Sequence, residues 1–189
     1  MIRGIIFDCF GVLYGGSLGA LTRMCPPDRL EELRDLNKQS DYGFIDGSEY
    51  VDEIVEILGK PRSEIEAVFE KKHVRNQSLI DFSQSLRPEY KVGILSNVSS
   101  GTMDYLFPPE QRQELFDAVL LSFKENIAKP NPAIFVMMAE RLGLRPDECV
   151  MIDDLEANCD GAEIAGMQSI QHVANELTQE KLSNLLQNW

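Results

Sequence analysis

Three short apolar runs, each closing on a polar residue, constrain this chain more than any other feature: GIIF before Asp8, KVGIL before Ser96 and CVMI before Asp153. They are too short for helices and continuous rather than alternating, which suits strands buried on both faces of a parallel sheet. A fourth strand is expected in MQSIQHV, after a helix ending near Gly166. Helical patterns fall between these runs. Asn131 can cap a helix with Pro132 in its first turn; Ile134, Met138 and Leu142 recur at helical spacing, and Gly143 can close it. A closing helix carries Leu177, Leu182, Leu185 and Leu186. The alternation of strand and helix places the chain in the α/β class.

Between Tyr14 and about Ile80 the pattern is helical only. Val51, Ile54, Val55 and Leu58 form one apolar stripe with Gly59 beyond it, Ser63 and Glu66 have capping-box spacing, and an earlier helix is expected over DRLEELRDLNK. The polar, glycine-containing stretch LNKQSDYGFIDG reads as a loop. A helical block inserted directly after the first strand reads as a cap over the strand ends. The expected division is therefore a core of residues 1–14 and 81–189 with a cap of residues 15–80, within the size range of one domain carrying an inserted subdomain.

Charge narrows the partners. With 31 acidic and 18 basic side chains the net charge is −13, which repels nucleic acid and anionic membrane surfaces. The N-terminal apolar run is short for a secretory signal and no stretch is long enough to cross a bilayer, so a cytoplasmic location and small-molecule partners are expected. Cys9, Cys25, Cys149 and Cys159 lack metal-site spacing and read as packing residues, as do His73 and His172.

In an open parallel sheet the ligand crevice lies outside the carboxyl ends of the strands. Asp8, Ser96, Asn97, Asp153 and Asp154 all fall there, and Lys129 lies in the loop IAKPNP. Alone, Asp153 would read as a turn former, Ser96 and Asn97 as helix caps and Lys129 as a solvated loop residue. Their shared crevice favours chemistry. Carboxylates gathered in one crevice repel unless a cation sits among them, and hard oxygen ligands favour magnesium. Lys129 would offset an anionic substrate or nucleophile, while Ser96, Asn97 and nearby backbone N–H groups can donate to phosphate oxygens.

In order and context, FDCFGVL, GILSN, Lys129 in AKPNP, and MIDDLEANCDGAEIAGM resemble the four motifs of the haloacid dehalogenase-like (HAD) hydrolase superfamily, over essentially the whole chain. The resemblance implies a Rossmann-like core with an α-helical cap inserted after the first motif. It also implies that Asp8 is a nucleophile that forms an aspartyl-phosphate, later hydrolysed by water. Carried over, the Phe10 carbonyl and Asp154 become Mg²⁺ ligands, with Asp153 binding the metal directly or through water. Ser96 and Asn97 grip the phosphoryl group, Lys129 bridges nucleophile and phosphate, and Asn158, about one turn beyond Asp154, orients the metal site.

Phe10 departs from the pattern. Most phosphatases resembling this one carry an aspartate two residues after the nucleophile, which protonates the leaving oxygen and later activates water; such help is typically worth about 10² to 10⁴ in rate. Acyl, aryl or anomeric sugar phosphates would need that acid least. Haloacid dehalogenases carry an aromatic residue there, since a halide leaves unprotonated, but they lack the acidic pair that Asp153 and Asp154 supply. The leading expectation is a Mg²⁺-dependent phosphatase of a small phosphorylated metabolite. A metal-free dehalogenase and a weakly catalytic phospho-ligand binding protein are the alternatives. Substrate choice is expected from the cap, through residues such as Arg23, Arg34, Asn37, Tyr42 and Phe44, with cap closure excluding water.

Overall fold

A computed structural model describes residues 1–187, so the last two residues of the expected core segment lie outside the described part. Five parallel strands form one sheet, in the order β3-β2-β1-β4-β5. They are β1 (Gly4–Phe7), β2 (Lys91–Ser96), β3 (Ala118–Leu121), β4 (Cys149–Asp153) and β5 (Gln168–Gln171). Phe7 is in register with Ile94 of β2 on one side and with Ile152 of β4 on the other. The polar residues that follow β1, β2 and β4 therefore emerge side by side at one edge. The chain builds outward from β1 in one direction and then crosses to the other side, so the reversal of strand order falls beside Asp8, where such sheets form a crevice.

Five α-helices lie between β1 and β2, of which the first four are α1 (Leu18–Met24), α2 (Leu30–Asp41), α3 (Gly47–Leu58) and α4 (Arg62–Lys72). The others are α5 (Gln77–Leu86), α6 (Thr102–Leu106), α7 (Pro109–Leu115), α8 (Ser122–Glu125), α9 (Pro132–Leu142), α10 (Glu156–Ile164) and α11 (Asn175–Gln187). The pleat divides the sheet's apolar residues between two layers. Ile5, Phe7, Ile94 and Ile152 pack with Leu79, Ile80 and Leu182 on one face, while Ile6, Leu95 and Met151 pack with Ile134, Phe135 and Met138 on the other. Each fully buried aliphatic or aromatic side chain contributes about 1.5–3 kcal/mol, so the two layers supply most of the drive to fold. A third cluster, including Leu21, Leu33, Leu36, Ile54 and Ile65, belongs to the first four helices.

Several details differ from the sequence reading. The sheet contains a further edge strand, β3, whose Ala118 and Val119 are only half-buried. The boundary expected at 80/81 falls inside α5, whose Leu79 and Ile80 pack against the sheet. The chain instead passes between the first four helices and the core at paired linkers: Gly15 N–H donates to the Val74 carbonyl at 2.9 Å, Asn76 N–H donates to the Leu13 carbonyl at 2.9 Å, and Tyr14 bridges Arg75. A Cβ on Gly15 would lie 2.2 Å from the Lys72 carbonyl oxygen, so this close pairing requires glycine.

The first half of the expected loop at 36–47 is the end of α2, with Leu36 and Ser40 buried along its inner face, and residues 42–46 form the loop. Pro61, not Ser63, occupies the cap position of α4, where there is no side-chain cap. The capping box belongs to α3: the Asp46 carboxylate accepts from Ser48 and Glu49 N–H while Glu49 accepts from Asp46 N–H. Asn131, Pro132 and Gly143 take their expected places at the ends of α9, Gly143 with φ 72°. Leu177 is 46 % exposed, unlike the buried Leu182 of the same helix.

Candidate active site

Asp8 follows β1 directly, and its backbone N–H continues the ladder to the Ile152 carbonyl at 2.9 Å. That bond aims the side chain beyond the sheet edge. One carboxylate oxygen, Oδ1, accepts from Cys9 N–H at 2.6 Å and lies 2.8 Å from Lys129 Nζ. The same ammonium donates to Asp153 Oδ2 at 2.6 Å. Asp153 Oδ1 in turn accepts from Leu155 N–H at 3.0 Å and Asn158 Nδ2 at 2.9 Å. Asp153 is wholly buried and Lys129 is 5 % exposed, so this ion triad sits in a low-dielectric environment.

Asn97 holds the Lys129 backbone from both sides, its Oδ1 accepting from Lys129 N–H at 2.9 Å and its Nδ2 donating to the Lys129 carbonyl at 3.0 Å. It caps no helix. The lysine's position thus comes from an amide clamp as well as from the charges it meets. Ser96 is wholly buried, its hydroxyl 3.4 Å from the Asn97 carbonyl oxygen, and it does not line the crevice. Asn97, Ser99 and Thr102 face the opening instead.

Three carboxylates face one lysine. Asp8, Asp153 and Asp154 each offer an oxygen, and these atoms lie within 4.8 Å of one another. Burial pushes Asp8 up to about 8; Lys129 opposes the rise, while Asp153 and Asp154 add to it. Burial also raises Asp154, with Asp153 adding to the effect. Burial disfavours the charge on Lys129, yet Asp8 and Asp153 outweigh it and raise its pKa above the usual lysine value. The excess negative charge and the all-oxygen donor set fit a hard divalent cation. Asp154 is the more open carboxylate, whereas the Asp153 oxygens already accept three bonds.

Asp154 rests against the turn after the nucleophile. Gly11 has φ 87°, and a Cβ there would lie 2.3 Å from the Asp154 carboxyl carbon. Gly11→Ala is expected to lower stability by about 1–3 kcal/mol through backbone strain and to displace Asp154. Urea denaturation measures the first effect, and an unchanged midpoint would contradict it.

The crevice opens into a cavity of about 1170 Å³ between the strand ends and the first four helices. Of the residues expected to select substrate, Asn37 lines it. Arg23 and Arg34 are exposed and outside the lining, and Tyr42 and Phe44 stack on each other at 5.9 Å away from it. The cavity wall instead shows Asp41, Tyr50, Phe69 and His73. Tyr50 donates to Asn37 Oδ1, and burial raises its phenol, with the Asp41 charge adding to the shift. His73 has a more specific place than ordinary packing. Its ring lies 4.9 Å from Phe10 and 5.5 Å from Phe69, with Nε2 3.2 Å from Ser17 Oγ. Half-burial lowers its pKa. The spacing of Phe69 and His73 on one helical face was the available sequence signal.

The family profile of haloacid dehalogenase-like hydrolases matches residues 2–166. The chain belongs to this family. The HAD-like hydrolase is 32 % identical over 85 residues to N-acylneuraminate-9-phosphatase of Mus musculus, covering 44 % of this chain and 34 % of that protein. It is 26 % identical over 92 residues to a fructose-1-phosphate phosphatase of Escherichia coli, covering 49 % of each. The hydrolase thus spans less than half the length of these curated relatives. Among solved structures, a HAD family enzyme from Bacteroides thetaiotaomicron in complex with magnesium and inorganic phosphate superposes with TM-score 0.73 at 27 % identity, covering 93 % of this chain and 96 % of that one. Four buried, unbridged cysteines complete the expected picture of packing thiols. Among the described residues no helix is long and apolar enough to cross a membrane.

Proposed function

We propose that this HAD-like hydrolase is a metal-dependent phosphatase of a small phosphorylated metabolite, with Asp8 as nucleophile. The observation that carries the reading is the buried arrangement of Asp8, Lys129 and Asp153 beside the more open Asp154. Asp8 Oδ1 is occupied by Cys9 N–H and Lys129, which leaves Oδ2 to attack phosphorus. Lys129 stays charged and faces the transferring phosphoryl group, while Asn97 fixes the lysine backbone. Ser99, Thr102 and the backbone after β2 offer donors for the remaining phosphoryl oxygens.

Magnesium held by Asp8, Asp154 and the Phe10 carbonyl, with Asp153 directly or through water, would neutralise charge on the phosphoryl oxygens. Asn158 acts through Asp153, which it holds, rather than through Asp154. The named phosphatases among the relatives and the magnesium and phosphate in the Bacteroides structure support this assignment. Four free thiols suit a reducing, cytoplasmic setting.

The cap side of the cavity narrows the substrate further. Asp41, Asp46, Glu66 and Glu70 line it, and among the described residues no Lys or Arg joins them on that side. A second anionic group on the leaving part would meet only like charge, so a neutral leaving group fits best. The deciding experiment measures phosphate release from acetyl phosphate and 4-nitrophenyl phosphate with and without Mg²⁺, and chloride release from 2-chloropropionate in parallel. Turnover that requires Mg²⁺ is the expected result. Metal-independent halide release would replace this reading with a dehalogenase, a reading that the aromatic ring of Phe10 keeps alive.

A further inference from the structure

The phosphatase reading leaves one proton unassigned, because Phe10 stands where the acid would be. We infer that Asp41, at the end of α2 on the cap, protonates the leaving-group oxygen. This rests on Asp8-centred phosphoryl transfer, and it assigns a role to a residue outside the four family motifs.

The cavity's other cap-side acids are engaged or peripheral. Asp46 spends its carboxylate on Ser48 and Glu49 N–H. Glu66 pairs with Arg62 at 3.2 Å, and Glu70 sits at the exposed rim. His73 is packed between Phe10 and Phe69 and engaged with Ser17. Asp41 lines the same cavity as Asp8 and Lys129, and its carboxylate forms no hydrogen bond or ion pair with the described residues.

Asp41 is also held close to the core. Two residues on, Gly43 turns with φ 76°, and a Cβ there would lie 2.6 Å from the Phe123 carbonyl oxygen of α8. The end of α2 is therefore seated on the catalytic core by backbone contact rather than by flexible side chains. Lys129 and Tyr50 are the charged and titratable groups that feel it. Burial pushes Asp41 up to about 6, with Lys129 pulling the other way. An acid in that range is matched to work near neutral pH.

The step balances. Protonated Asp41 gives its proton to the leaving oxygen as the P–O bond breaks and the Asp8 carboxylate forms the aspartyl-phosphate. Water then attacks phosphorus, giving one proton back to the Asp41 carboxylate while Asp8 departs as carboxylate and phosphate is released. A carboxyl group lining a cavity whose described cap side carries no Lys or Arg would suit a neutral alcohol as the departing group.

The test is the dependence of rate on the leaving group, with Mg²⁺ present throughout. Native protein, Asp41→Asn, Asp41→Glu and His73→Gln are compared on acetyl phosphate, 4-nitrophenyl phosphate and glycerol 3-phosphate. For Asp41→Asn, kcat/KM is expected to fall at least about 10²-fold further on the alkyl phosphate than on the acyl and aryl phosphates, the scale of general-acid help. Asp41→Glu, which keeps a carboxyl group, is expected to recover part of that difference. An equal fall on all three substrates would mean that Asp41 only shapes the cavity, and would overturn the inference. So would a selective alkyl-phosphate loss in His73→Gln but not in Asp41→Asn. Silence of the native protein even on acetyl phosphate would overturn the phosphatase reading together with this one, and so is distinguishable from failure of Asp41 alone.

Discussion

Lys129→Met should destabilise the protein by about 3–5 kcal/mol, the cost of breaking a buried ion pair from one side. The ammonium meets Asp8 at 2.8 Å and Asp153 at 2.6 Å, and Asp153 has no exposure to water. Methionine fills similar volume, so the loss reports charge rather than a cavity. Both carboxylates would remain buried without their cation, and each could escape only by taking a proton or by opening the strand ends. Chemical denaturation of metal-free protein measures the loss. Adding Asp8→Asn to the lysine variant should return part of it by removing one stranded charge, a coupling that a double-mutant cycle reads directly. An additive double variant would mean that the two groups do not share the energy assigned to them here.

Asp8→Asn alone should abolish Mg²⁺-dependent phosphate release, with kcat lowered by about 10⁴-fold or more, as for removal of a covalent nucleophile. Its shape is nearly that of aspartate, and the amide oxygen can still accept from Cys9 N–H and Lys129. The fold should survive because the change removes one of three crowded carboxylates. Comparable turnover by a folded Asp8→Asn protein would move the nucleophile elsewhere.

What was legible in the sequence was the part in which local pattern and function coincide. GIIF, KVGIL and CVMI are short because the strands are, and they end on polar residues because the crevice begins there. β3 has the same pattern, AVLL before Ser122, without the function: it is an edge strand with two half-buried residues, and its serine is buried at the start of α8. The two capping boxes teach a related lesson. Ser63 and Glu66 have the right spacing, but Pro61 starts the helix earlier, and the same spacing at Asp46 and Glu49 is the one in use. Spacing alone could not choose between them.

The site divided along the same line. Asp8, Asp153 and Asp154 were readable because motifs mark strand ends, and Lys129 from the motif in the loop before α9, whereas Asp41, Tyr50 and His73 reach the cavity through the way the cap sits on the core. Charge and size nominated Arg23 and Arg34, yet both face solvent, since an amphipathic helix reveals which face is apolar but not what stands opposite. Ser96 shows the converse. It sits at the expected strand end but is sealed beneath the surface, and the residues after it face the opening.

The ring at position 10 changes what the catalytic turn is mechanically. Phe10 belongs to the loop that carries the nucleophile, and His73 belongs to the linker through which the cap rejoins the core. The contact joins the turn of the nucleophile to the end of α4. An aromatic contact of this kind is worth about 0.5–1.5 kcal/mol. Position 10, which the family pattern gives to an acid, thus carries here a packing contact that ties the catalytic turn to the cap.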